Sequence, residues 1–169
     1  MGPVEIRFVG SGDAFGSGGR FQTCIGVRSS DDFFLIDCGA SSLVAMRQQK
    51  LEPRDVSKIF ITHLHGDHFS GAPSYSLRVE IDSKTFVYSG DTQWTDTLIE
   101  ASAGADLFAC ECYVFDEDVP LHNSYAKIMA NRSRMTCKRI IVTHMNEDML
   151  SRVPDIELGA AEDGMVVLL

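Results

Sequence analysis

Val4, Ile6 and Phe8 alternate with Glu5 and Arg7, a two-residue period that predicts a half-buried strand. Residues 24–28 and 33–37 predict two more strands, joined by the turn Ser29-Ser30-Asp31-Asp32. Over 40–50 the period lengthens. Leu43, Val44 and Met46 stand among Arg, Gln and Lys at helical spacing, and this helix ends before Pro53. Lys58 to Thr62 predicts a short apolar, buried strand that runs straight into His63. Leu77, Val79 and Ile81 then alternate with Arg78 and Glu80, and a Ser83-Lys84 turn leads to Phe86-Val87-Tyr88, the pattern of a hairpin. Beyond it the pattern predicts a helix over 95–103, a strand over 106–111, a helix over 123–134 and a strand over 139–143. A short helix near 147–152 and a last strand, 165–169, complete the chain. Hairpins mixed with strand–helix units predict α/β layering, in a single domain over 1–169.

Composition narrows the class. The chain has 169 residues, 44% hydrophobic and 23% charged, which is ordinary for a globular protein. No apolar run reaches the roughly 18 residues of a membrane span. The N-terminal stretch Met1-Gly2-Pro3-Val4-Glu5 lacks the basic and apolar regions of a signal peptide, so the expected location is cytoplasmic. Five cysteines, Cys24, Cys38, Cys110, Cys112 and Cys137, lie mostly in apolar strand-like runs and are expected as reduced thiols. The net charge of -9 disfavours broad electrostatic binding of nucleic acid. Acids that ligate cations would remove part of that charge locally.

The chemistry concentrates at strand ends. His63-Leu64-His65-Gly66-Asp67-His68 places three of the chain's five histidines and a carboxylate within one short run. Histidines at i and i+2 of an extended segment point to one side and can reach one ion, and Gly66 lets the chain turn to offer Asp67 and His68 to a second. Imidazole with carboxylate suits Zn, Mn or Fe rather than Ca or Mg. Ser89-Gly90-Asp91-Thr92 follows another strand end, where Asp91 could bridge two ions with one oxygen to each. Ile140-Ile141-Val142-Thr143-His144 repeats the design of Ile59-Phe60-Ile61-Thr62-His63, an apolar strand delivering a histidine.

These motifs resemble the metallo-β-lactamase-fold hydrolases, and within them the ribonuclease Z-like branch. The matching stretches include Phe8-Val9-Gly10-Ser11-Gly12-Asp13-Ala14-Phe15, Leu35-Ile36-Asp37-Cys38-Gly39, Thr62 to Phe69, Tyr88 to Thr92 and Val142-Thr143-His144. The resemblance implies an αββα sandwich and two divalent transition metal ions. His63 and His65 would hold the first ion, Asp67, His68 and His144 the second, with Asp91 bridging. Asp37 would orient a ligand imidazole from behind. Glu111 and His122 fall where the branch carries a pair that protonates the leaving group, so the catalytic candidates are Asp67, Glu111 and His122. A carboxylate beside an imidazole raises its pKa toward a useful acid value.

The chain departs from the family pattern in one stretch. Only 22 residues, Phe69 to Gly90, separate His68 from Asp91, and none is a histidine. The family carries further strands and helices there, with one more histidine for the first metal. The expectation is therefore a sandwich lacking part of one sheet and its helices, a first metal site one protein ligand short, and exposed edges that favour a homo-oligomer. The long arm with which the branch grips transfer RNA is not visible, so transfer RNA is not an expected partner, nor is a membrane. The glycine-rich loop 10–19 fits neither a dinucleotide fingerprint nor a P-loop, and Asp13 or Arg20 could touch substrate from it. The function expected is hydrolysis of phosphodiesters by a dinuclear centre. A non-catalytic, self-associating or partner-binding scaffold and a lactone or thioester hydrolase stand as alternatives.

Overall fold

Ten strands form two five-stranded sheets in this computed structural model, which describes residues 2–63 and 74–169. The first sheet contains β1 (Glu5–Gly10), β2 (Cys24–Arg28), β3 (Phe33–Ile36) and β4 (Lys58–Phe60), and is closed on its other side by β10 (Val166–Leu168). Its order is β10-β1-β2-β3-β4. The second sheet contains β5 (Leu77–Ile81), β6 (Lys84–Tyr88), β7 (Leu107–Glu111), β8 (Ile140–Thr143) and the two-residue β9 (Gly159–Ala160), in chain order across the sheet. Four helices accompany them: α1 (Ser42–Gln48), α2 (Thr97–Ser102), α3 (Tyr125–Asn131) and α4 (Glu147–Ser151).

Side-chain alternation builds the layers. Ile6, Phe8, Ile25, Val27, Phe34 and Ile36 of the first sheet meet Phe86, Tyr88, Leu107, Ala109 and Ile141 of the second in a buried core. The intervening residues face outward and are buried too. Val87, Phe108, Cys110 and Val142 pack with Leu98, Tyr125, Ile128 and Met149, which lie on or beside α2, α3 and α4. Val9, Cys24, Phe33 and Leu35 pack under Ala45 and Met46 of α1. Burial on both faces explains why the central strands are continuous apolar runs rather than alternating ones. The result is the αββα order expected, with one helix on the first sheet and three on the second.

Three expectations need correction. The strand leading to His63 is not buried. Ile59, Phe60 and Ile61 are 49%, 44% and 50% exposed, and β4 pairs with β3 alone among the described residues. Apolar residues there reflect an open edge, not a core position. The hairpin turn falls one residue earlier, at Asp82 and Ser83, whose φ of 49° and 62° give the primed turn that matches strand twist. The helix expected over 123–134 is α3 followed by a separate 3₁₀ turn, Arg132–Arg134.

Strand direction sets where the chemistry lies. β3 and β4 run parallel, as do β6, β7 and β8. Their carboxyl ends therefore gather at one end of the sandwich, the position at which open α/β sheets bind ligands.

Candidate metal centre

Asp37, His63, Asp91, Glu111 and His144 all follow or end those strands. Asp37 and His144 adopt left-handed backbone, with φ of 57° and 60°, unusual for residues other than glycine. Gly90 has φ of 65°, and a Cβ there would lie 2.7 Å from both the Ser74 Oγ and the Tyr75 carbonyl oxygen, so only glycine fits before Asp91.

The centre of the arrangement is one carboxylate oxygen. Oδ2 of Asp91 lies 3.4 Å from Nε2 of His63 and 3.3 Å from Nε2 of His144. Oδ1 accepts a hydrogen bond from the Tyr88 hydroxyl at 3.2 Å. Asp91 thus presents one oxygen, Oδ2, to both rings. His63 comes from the first sheet and His144 from the second, so the two sheets meet at this atom. His65, Asp67 and His68 lie outside the described residues.

Hydroxyls hold both rings from behind. Thr62 donates its N–H to Oδ1 of Asp37 at 2.8 Å and its hydroxyl to Oδ2 at 2.7 Å, while its Oγ1 lies 2.9 Å from Nδ1 of His63. Asp37 therefore reaches the imidazole through Thr62. Burial pushes the Asp37 carboxyl above its ordinary range, and the Thr62 bonds work against that shift. On the other side Thr23 Oγ1 lies 3.4 Å from Nδ1 of His144.

Glu111 and His122 are brought together as well. Oε1 of Glu111 contacts Nδ1 of His122, and the N–H of Thr92 donates to Oε2. Glu111 is buried, which pushes its pKa up to about 8 against the lowering effect of His122. The His122 ring stacks on Tyr113 at 4.4 Å and on His144 at 5.7 Å. Glu111, His122 and His144 offer ligand atoms within 4.8 Å of one another.

A cleft of about 340 Å³ opens over His63, Asp91 and His144, lined also by Asp13, Asp37 and Cys38. Asp13 reaches its wall, but its carboxylate accepts from Phe15 N, Ser17 N and Ser17 Oγ at 2.7–3.1 Å and shapes the glycine loop. Arg20 is likewise structural, donating to Ser11 Oγ and the Ala161 carbonyl. Trp94 and Phe115 pack against the outer core of the second sheet, whereas Tyr113 stacks on His122. Cys110 and Cys112 are buried packing residues.

Sequence reasoning missed Tyr88, Thr23 and Thr62 as partners of the site. Tyr88 carried a usable signal: it shares the inward face of β6 with Phe86, and a buried phenol needs a polar partner. Thr23 carried none, since its contact is made across 121 positions of chain.

Two imidazoles whose Nε2 atoms converge on one carboxylate oxygen form a nitrogen–oxygen donor set suited to a divalent transition metal, so the residues fit such an ion.

A family model described as Anti-Pycsar protein Apyc1 matches residues 4–73. Zinc phosphodiesterase ELAC protein 1 of Homo sapiens is 33% identical over 84 residues, 50% of this chain and 23% of that protein. Ribonuclease Z of Lactococcus lactis subsp. cremoris is 39% identical over 108 residues, 62% of this chain and 33% of that protein. The chain thus spans about a quarter to a third of the length of these curated relatives. The metallo-β-lactamase fold protein YhfI of Bacillus subtilis superimposes with a TM-score of 0.83 at 16% identity, covering 99% of this chain and 100% of that one. At that identity the likeness concerns the fold.

Proposed function

We propose that this chain, which has the metallo-β-lactamase fold and resembles ribonuclease Z over part of its length, is a metal-dependent hydrolase acting on phosphodiesters. The observation that carries this reading is the single Asp91 oxygen facing Nε2 of both His63 and His144. His63 and His65 would hold one ion and Asp67, His68 and His144 another, with Asp91 shared between them. Zinc is the first choice and manganese or iron the others. Metal bound there would supply a water of lowered pKa and charge stabilisation at the attacked phosphorus.

The chain's own groups do the rest. Tyr88 pins Oδ1 of Asp91 so that Oδ2 keeps its place between the rings. Asp37, through Thr62, fixes the orientation of His63. Glu111 holds Nδ1 of His122, and that imidazole, backed by Tyr113, delivers a proton to the departing oxygen. A small phosphodiester suits the cleft volume and the chain's net charge of -9 better than a long polyanion such as transfer RNA.

The exposed apolar edge at β4, with Ile59, Phe60 and Ile61, favours self-association alongside catalysis. The test of the main reading is transition-metal content after gentle purification, together with hydrolysis of bis(p-nitrophenyl) phosphate with added zinc or manganese. Activity in the native chain and its loss in Asp91→Ala are expected. Turnover that survives Asp91→Ala sinks the mechanism. A chain that carries no metal and hydrolyses nothing belongs to the non-catalytic scaffold reading instead.

A further inference from the structure

His144 and His63 are held by the same device, although they come from different sheets. At His63, the Thr62 hydroxyl donates its one proton to Asp37 and turns a lone pair to Nδ1, 2.9 Å away. At His144, the Thr23 hydroxyl donates to the Gly12 carbonyl at 2.8 Å and presents its oxygen to Nδ1 at 3.4 Å. A hydroxyl has one proton to give. Once that proton is committed to a carbonyl, the oxygen is left to accept, an arrangement that favours the Nδ1–H tautomer of His144. The Nε2 lone pair is then left for the side where Asp91 lies.

The acceptor of the Thr23 proton is itself fixed. The Gly12 carbonyl also receives the backbone N–H of Thr23 at 3.0 Å, and the Gly12 N–H donates to the Phe21 carbonyl at 2.7 Å. A Cβ at Gly12 would lie 2.8 Å from Arg20 Cβ, so the loop closes tightly against its return strand. The backbone N–H of His144 donates to Ser11, the residue before Gly12. The glycine loop and the His144 turn are thus one rigid unit, and Thr23 sits at their junction.

We propose that Thr23 is a positioning residue that holds His144 as the Nδ1–H tautomer and so aims its Nε2 lone pair at the cation beside Asp91, as Thr62 does for His63. The proposal rests on the metal-centre reading above. Thr23→Val keeps the shape and removes the acceptor, while Thr23→Ser keeps the hydroxyl.

The experiment measures the zinc dissociation constant of the full chain by chelator competition, with a second readout from the ring N–H proton resonances of the zinc-loaded protein. Thr23→Val is expected to weaken zinc binding on the order of 10-fold, the usual effect of removing a hydrogen-bond partner behind a metal ligand. It should also speed exchange of the His144 Nδ1–H proton, and Thr23→Ser should restore both. Should Thr23→Val fail to fold by circular dichroism, Thr23→Ala carries the same comparison. Unchanged affinity and exchange in a folded variant overturn the proposal while leaving the metal centre standing. A native chain that binds no zinc overturns both.

Discussion

Tyr88 donates its hydroxyl to Oδ1 of Asp91 at 3.2 Å, and this bond decides which oxygen of the carboxylate faces the histidines. Tyr88 is fully buried between the sheets, so it cannot move aside. Tyr88→Phe keeps the packing and leaves a carboxylate oxygen without this donor. A loss of about 1–2 kcal/mol is expected in urea denaturation of the metal-free chain. Unfolding at the native midpoint would show that the phenol does not hold Asp91.

Glu111 and His122 act in proton delivery and not in holding metal under the reading above. Glu111→Gln and His122→Ala should each lower turnover of a phosphodiester by about 10²–10⁴-fold, the usual range for general acid–base groups. Metal content should stay at the native level. Loss of metal together with activity would move the pair into the ligand set, which the closeness of both residues to His144 makes a fair rival.

Burial divides the five thiols. Cys24, Cys110, Cys112 and Cys137 are buried and desolvation raises the pKa of each, that of Cys24 to about 12, whereas Cys38 is partly exposed on the cleft wall. Because the thiolate is the reactive form, a disulfide reagent at neutral pH should label Cys38 first and the others only on unfolding. The sign of the pH effect follows. A thiol whose folded pKa lies above its ordinary value of 9.0 leaves stability untouched below pH 9 and weakens the fold as pH rises toward 12. Cys24→Ala should therefore flatten the alkaline limb of a stability-versus-pH curve, whatever its constant cost in packing. An unchanged limb would place that loss elsewhere.

The β4 edge predicts concentration-dependent association. Ile59 is 49% exposed at an edge paired on one side among the described residues, so Ile59→Lys should change folding stability by roughly 0.5 kcal/mol or less. Sedimentation should show self-association in the native chain and its loss in this variant. A native chain that stays monomeric at high concentration removes the edge from consideration.

The sequence alone determined the strands, because the residues buried on both faces at 33–36, 107–110 and 140–142 are apolar throughout. It also determined the candidate donors, since imidazole and carboxylate cluster at strand ends in a pattern that binding a cation requires. Burial of β4 was misjudged from that same apolar signal, because an exposed edge and a core strand can share one composition. Only the tertiary structure placed Oδ2 of Asp91 between two imidazoles and the Tyr88 hydroxyl at Oδ1. It alone placed Thr62 between Asp37 and His63, and Thr23 behind His144. Those contacts depend on how two sheets face each other and on left-handed turns at Asp37 and His144, which no local pattern of hydrophobic and polar residues encodes.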